Sequence, residues 1–94
     1  MEVNWARPAA HDLVEVFAHI RKENPRAAQD VADRIVTLVD LLRDQPAMGR
    51  PGRLATPREL VVTGTPYIVV YVVKGETISI ARVIHGARKW PRRL

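Results

Sequence analysis

The sequence predicts an α+β fold: an N-terminal strand, an antiparallel helix hairpin, then a three-stranded antiparallel sheet, in the order β-α-α-β-β-β. Two observations carry most of this. Consecutive apolar stripes at helical spacing run from Ala9 to Leu42 and meet at one Asn24-Pro25 joint. Beyond Pro57 the helical spacing stops, and β-rich runs follow, separated by tight turn signals.

Glu2 to Ala6 is the first strand candidate, with Val3 and Trp5 on one face. Pro8 suits the first residue of a helix, where its missing N–H costs nothing. Ala9, Leu13, Val16, Phe17 and Ile20 then make one stripe, with His11, Asp12, Glu15 and Lys22 off it. Asn24 can cap and Pro25 can open the next helix, whose stripe is Ala28, Val31, Ala32, Ile35, Leu38, Val39 and Leu42, ending near Asp44. Asp30 and Arg34 stand four apart and are expected to support each other on the surface. So short a joint predicts that the helices lie antiparallel.

Pro46 to Pro57 reads as loop, and Arg58 to Val62 as a strand. Thr63-Gly64-Thr65-Pro66 is a turn signal. Tyr67 to Lys74 is apolar on both faces, as a central strand is. Gly75-Glu76 is a two-residue turn with glycine first, which favours type II′. Thr77 to His85 is the returning strand. If Lys74 faces Thr77, then Tyr71 faces Ile80, Val69 faces Arg82 and Tyr67 faces Ile84. That face, with Val73 and Ile78, is the heavier one and is assigned to the helices. Ile68, Val70 and Val72, with Val83, Ala81 and Ser79, form a partly open face that has Lys74, Thr77 and His85 at its ends. A slip of one residue inverts the assignment.

Ninety-four residues suit one domain, 1–94, and a hydrophobic content of 47% can supply its core. With no cysteine there is no disulfide framework, thiolate metal site or cysteine nucleophile. His11 and His19 stand eight apart, too far for the four-residue metal pair, and read as surface residues. No metal or cofactor is expected. The N-terminus has no signal-peptide pattern, and no apolar run is long enough to span a bilayer, so a cytoplasmic protein without a membrane partner is expected.

The net charge of +5 is unevenly spread. Residues 1–46 hold six Lys/Arg and eight Asp/Glu, a net −2; residues 47–94 hold nine and two, a net +7. The basic half calls for an acidic counterpart: RNA, DNA, an acidic protein segment or an anionic surface. A plain nucleic-acid-binding module fits the charge, but no helix-turn-helix signature, aromatic RNP motif or zinc spacing accompanies it.

Four segments carry a family resemblance. Arg82-Val83-Ile84-His85-Gly86-Ala87-Arg88-Lys89-Trp90-Pro91 resembles the closing motif of RelE/ParE-family toxins, and Gly49-Arg50-Pro51-Gly52, Arg58-Glu59-Leu60-Val61 and Tyr67-Ile68-Val69-Val70-Tyr71 are similar to earlier parts of that pattern. The resemblance covers nearly the whole chain and implies the toxin of a type II toxin–antitoxin module, held off by a cognate antitoxin. Operator DNA would be reached only through the antitoxin. Two activities divide the family: ribosome-dependent cleavage of mRNA, and inhibition of DNA gyrase without a nuclease site. In the nuclease branch an arginine stands three residues before the strand tyrosine that Tyr71 resembles. Here that residue is Ile68, which cannot stabilise phosphate charge, so the resemblance favours the gyrase branch.

Metal-free RNA cleavage needs a base for the 2′-hydroxyl, cations for the phosphorane and an acid for the leaving oxygen. His85, Arg53, Arg58 and Arg82 are the catalytic candidates on that alternative. Arg50, Arg53, Arg88, Lys89 and Trp90 are candidates for contact with the target or antitoxin. Each has a plainer reading. Arg50 and Arg53 can be solvated charge, and His85 a strand-end residue bonding the Gly86 turn. Trp90 can stack on a base or anchor the tail. Arg82, on the helix-facing side, is expected to pair with a helix carboxylate. Tyr67 and Tyr71 read as core or edge aromatics. An extended or helical acidic-apolar antitoxin segment would bury the open sheet face and neutralise the charge beside it, adding a strand to a sheet edge.

Overall fold

The computed structural model describes residues 1–51 and 57–86. The elements are β1 (Glu2–Trp5), α1 (Arg7–Arg21), α2 (Pro25–Leu41), β2 (Arg50–Pro51), β3 (Arg58–Val61), β4 (Tyr67–Lys74) and β5 (Thr77–His85). The α+β class and the strand, helix pair and sheet order are as the sequence predicts. The sheet is larger than predicted. It has five strands in the order β1-β5-β4-β3-β2, with β1 parallel to β5 and every other pair antiparallel. The expected β3-β4-β5 meander is its centre. No helix among the described residues is long and apolar enough to cross a membrane.

Local chemistry explains the helix boundaries. Pro8 falls in the first turn of α1, one residue after its start at Arg7. Asn24 caps α2, its side-chain oxygen accepting the Ala27 N–H at 3.0 Å, and Pro25 opens the helix. The apolar stripes meet the sheet. Ala9 and Val16 of α1, and Ile35 and Val39 of α2 with Leu42 just beyond it, pack with Leu60, Val62, Tyr67, Val69, Tyr71, Ile78, Ile80 and Val83. Phe17, assigned to the first stripe, is half-buried and is not among the residues packed on this core. At 100° per residue it lies about 80° round the helix from Ala9, on the flank. Arg34 does not pair with Asp30; its guanidinium donates to the Thr63 carbonyl at 2.8 Å, fastening α2 to the β3–β4 turn.

The β4–β5 hairpin keeps the predicted register only part of the way. Lys74 to Tyr71 pair with Thr77 to Ile80 as expected; then the register shifts, and Val70 pairs with Arg82, Val69 with Val83, Ile68 with Ile84 and Tyr67 with His85. Ala81 is the extra residue of a β-bulge. The bulge reverses the face assignment beyond it. Val83 enters the core, and His85 sits opposite Tyr67 instead of ending the open face. Gly75 has φ +56 and no described non-glycine residue has positive φ, the type II′ pattern expected of that turn.

Candidate functional site

Tyr71 is fully buried at the middle of β4. Its ring belongs to the core, and its hydroxyl reaches past β3 to the chain leaving α2. The hydroxyl donates to the Pro46 carbonyl at 2.8 Å and accepts the Gly49 N–H at 2.8 Å. Arg58, the cross-strand neighbour of Tyr71, donates to the Gly49 carbonyl at 2.7 Å. Both main-chain groups of Gly49 are therefore held. A Cβ there would lie 2.7 Å from Tyr71 Cε1 and Oη and 2.9 Å from the Glu59 carbonyl oxygen, which explains the glycine.

This anchoring starts β2, a strand that the sequence reading had inside a loop. Arg50 pairs with Glu59 in the ladder, and their side chains approach to 3.4 Å. The Glu59 side chain is nearly buried at 10% exposure, whereas that of Arg50 is 66% exposed. A surface cation thus stands over a sunken carboxylate. One ladder row runs across four strands: Arg82, Val70, Glu59, Arg50. At about 4.8 Å per strand, its two arginines are roughly 14 Å apart through their backbones.

At the other end of that row Arg82 is held by α1. It donates from Nε to Asp12 Oδ2 at 2.7 Å and from a terminal nitrogen to Oδ1 at 3.1 Å. Asp12 Oδ2 also accepts the Val83 N–H at 2.9 Å. β1 pairs with β5 only as far as Ile80, so this carboxylate closes the sheet edge where the neighbouring strand has ended. The hydrogen bonds that Arg82 donates to Asp12, and then the charge of that carboxylate, hold the Arg82 pKa above the usual arginine value against the opposing effect of burial. The helix carboxylate expected for Arg82 is Asp12, and the pair forms although the bulge places Arg82 in the row of Val70 rather than on the predicted helix-facing side.

The described catalytic candidates are not gathered in one place. Arg58 braces Gly49 and Arg82 is clamped by Asp12. The His85 ring meets the Tyr67 ring edge-on, with centroids 5.5 Å apart. The Tyr67–His85 row lies four residues along β4 from the Arg58–Tyr71 row, about 13 Å at strand rise. Arg53, Arg88, Lys89 and Trp90 lie outside the described residues. The sequence reading missed Gly49 as a packing requirement, Glu59 as the partner of Arg50, and the identity of Asp12. Asp12 was visible only as a polar residue off the stripe, and nothing local marked the other two contacts.

Between Arg50 and Arg82 the sheet face carries Ile68, Val70 and Val72 of β4, with Val61 beside Ile68. Val70 is fully buried, Ile68 and Val72 are half-buried, and Val61 is 47% exposed. The half-buried and exposed apolar residues, with the exposed Arg50 beside them, suit a partner segment with apolar and acidic side chains.

Three comparisons with known proteins agree. A family model described as the ParE toxin of the type II toxin–antitoxin system parDE matches residues 3–90. The chain is 41% identical over 90 residues to the candidate toxin Y4kP of Sinorhizobium fredii, covering 96% of this chain and 93% of that one. It is 39% identical over 87 residues to the toxin RelE2 of Caulobacter vibrioides, covering 93% and 97% of the two chains. Among solved structures, one from the chromosomal ParDE toxin–antitoxin system of P. aeruginosa superposes with a TM-score of 0.82 at 30% identity, over 90% of this chain and 95% of the other.

Proposed function

The chain belongs to the ParE toxin family of type II toxin–antitoxin systems, and on that premise we propose that residues 1–94 act as one toxin domain that arrests bacterial growth by poisoning DNA gyrase. The observation that carries the reading is the disposition of the cations. The position three before Tyr71 is Ile68, and two of the three cations that an RNA-cutting site would draw on, Arg58 and Arg82, are committed to Gly49 and Asp12. The charge of Arg82 is neutralised by Asp12, and the Arg58 side chain is held at the Gly49 carbonyl, which fixes its position without cancelling its charge. A cognate antitoxin neutralises the toxin by covering the partly open face around Val61, Ile68 and Val72, beside Arg50. Its apolar groups are buried there, and its acidic groups meet Arg50.

A second reading stays open because RelE2, one of the relatives, bears the name of the other branch. In that reading the chain is a ribosome-dependent mRNA endonuclease that uses His85 and the arginines. One culture separates the two. The chain is expressed from a tight inducible promoter, with a DNA-damage reporter and transcript-end mapping read together. Arrest with a damage response and intact transcripts is expected. Arrest with codon-phased cuts and no damage response would assign the nuclease activity instead.

A further inference from the structure

The outer edge of β3 is only half covered. β2 pairs with Arg58 and Glu59 and goes no further. Val62 donates its N–H to the Tyr67 carbonyl at 3.0 Å, toward β4, so the N–H and C=O of Val61, one residue earlier, point away from β4. Among the described residues no strand takes them up. Two other stretches of edge are blocked: Asp12 accepts the N–H of Val83 beyond the end of β1, and β2 ends on Pro51, which has no N–H to offer; the outer side of β1 is the other exposed edge among the described strands.

On the helix side of this half-open edge lies a groove of ≈ 610 Å³, lined by Asp30, Asp33, Arg34, Thr37 and Leu38 of α2 and by Thr63. Arg34 is already bonded to the Thr63 carbonyl. Asp33 accepts one bond from Gln29 at 2.8 Å, and both aspartates are exposed. Two aspartates against the one charge of Arg34 leave the groove a net −1 beside the half-buried Leu38. On the opposite side of the same edge stands Val61, 47% exposed. Side chains of an added strand alternate between these two sides.

We propose that an extended segment of the cognate antitoxin adds a strand to β3 at Val61. Its alternate residues place an apolar side chain on Val61 and a lysine or arginine in the groove between Asp30 and Asp33. This rests on the antitoxin reading given above, and it assigns the antitoxin a cationic anchor here, opposite in sign to the contact made at Arg50.

The test uses the full chain and the protein encoded beside its gene. Hydrogen exchange of the Val61 amide is measured free and in complex, alongside affinities for Val61→Lys, the double variant Asp30→Lys/Asp33→Lys, and Val14→Lys as a control on the exposed face of α1. Exchange at Val61 slows by at least about tenfold in the complex, both edge variants weaken binding by about tenfold or more, and the control binds as the parent does. Tight binding with unchanged Val61 exchange, or protection on β1 instead, overturns the edge assignment while leaving the antitoxin reading intact. Val61 protection that grows with the concentration of the free chain assigns the edge to a second copy and also overturns it. No binding by the parent chain removes the antitoxin reading, and the proposal with it.

Discussion

At the residue scale the most constrained position is Gly49. Its Cβ would be 2.7 Å from the buried Tyr71 hydroxyl, and the 2.9 Å contact on the other side is backbone, so relief has to come from moving Tyr71. Gly49→Ala is expected to destabilise the fold by about 1–3 kcal/mol through overpacking, read as a lowered midpoint in denaturant. Tyr71→Phe probes the same knot from the other side. It leaves the Gly49 N–H and Pro46 carbonyl without their partner and is expected to cost about 1–3 kcal/mol. If both variants melted like the parent, the loop after α2 would not depend on this anchor. These contacts join residues 22 and 25 apart in sequence. That separation is why Gly49 read as part of a loop motif and Tyr71 as an aromatic of unspecified place.

At the element scale the clamp between α1 and β5 is a single carboxylate. Asp12 accepts three hydrogen bonds, two from Arg82 and one from the Val83 main chain. Asp12→Ala strands a partly buried guanidinium and an edge N–H, and a loss of about 2–4 kcal/mol is expected in chemical denaturation. The sign of the pH effect is fixed by the raised pKa of Arg82. A raised basic pKa lends stability below its unfolded value and loses it only as pH climbs through the folded one. That window is strongly alkaline, so Arg82 itself imposes no dependence near neutrality. A stability slope near neutral pH in the parent that vanished in Arg82→Met would contradict this. Elements repeating every two or 3.6 residues were legible in the sequence: both helices, β4, β5 and their turn. β2 was not, because two residues including a proline have no period to detect. Nor was the place of β1, because pairing with β5 is settled by how the helix hairpin packs, not by Glu2–Trp5 themselves.

For the whole molecule, the positive charge that composition places late in the chain is only partly located, because Arg53, Arg88, Lys89, Arg92 and Arg93 lie outside the described residues. The helix hairpin carries most of the acids and the sheet most of the described basic residues that follow Gln45. The whole chain carries a net charge of +5, so an antitoxin segment bearing acidic side chains is expected to be drawn toward it before contact. Association is therefore expected to slow by on the order of tenfold as ionic strength rises through physiological values, with dissociation changing less. Stopped-flow rates at several salt concentrations check this, and a salt-independent association rate would show that apolar contact alone governs encounter. The place of the charge along the chain could be read from composition, but the neutralising partners could not. Glu59 and Asp12 lie 9 and 70 residues from the arginines they meet, and only the folded topology brings them there.

The extra residue at Ala81 also sets a parity. Before it, partners in the hairpin sum to 151, and after it to 152. Every side chain from Arg82 to His85 owes its direction to that change from odd to even. Chain length alone does not set this phase: without Ala81 the ladder would run regularly, with Arg82 still opposite Val70 and Val83 still opposite Val69. With Ala81 paired as an ordinary strand residue, Val83 would turn outward and Ile84 would be aimed at the space it left. A lineage carrying this fold can drop the residue at position 81, but it cannot straighten it into the ladder.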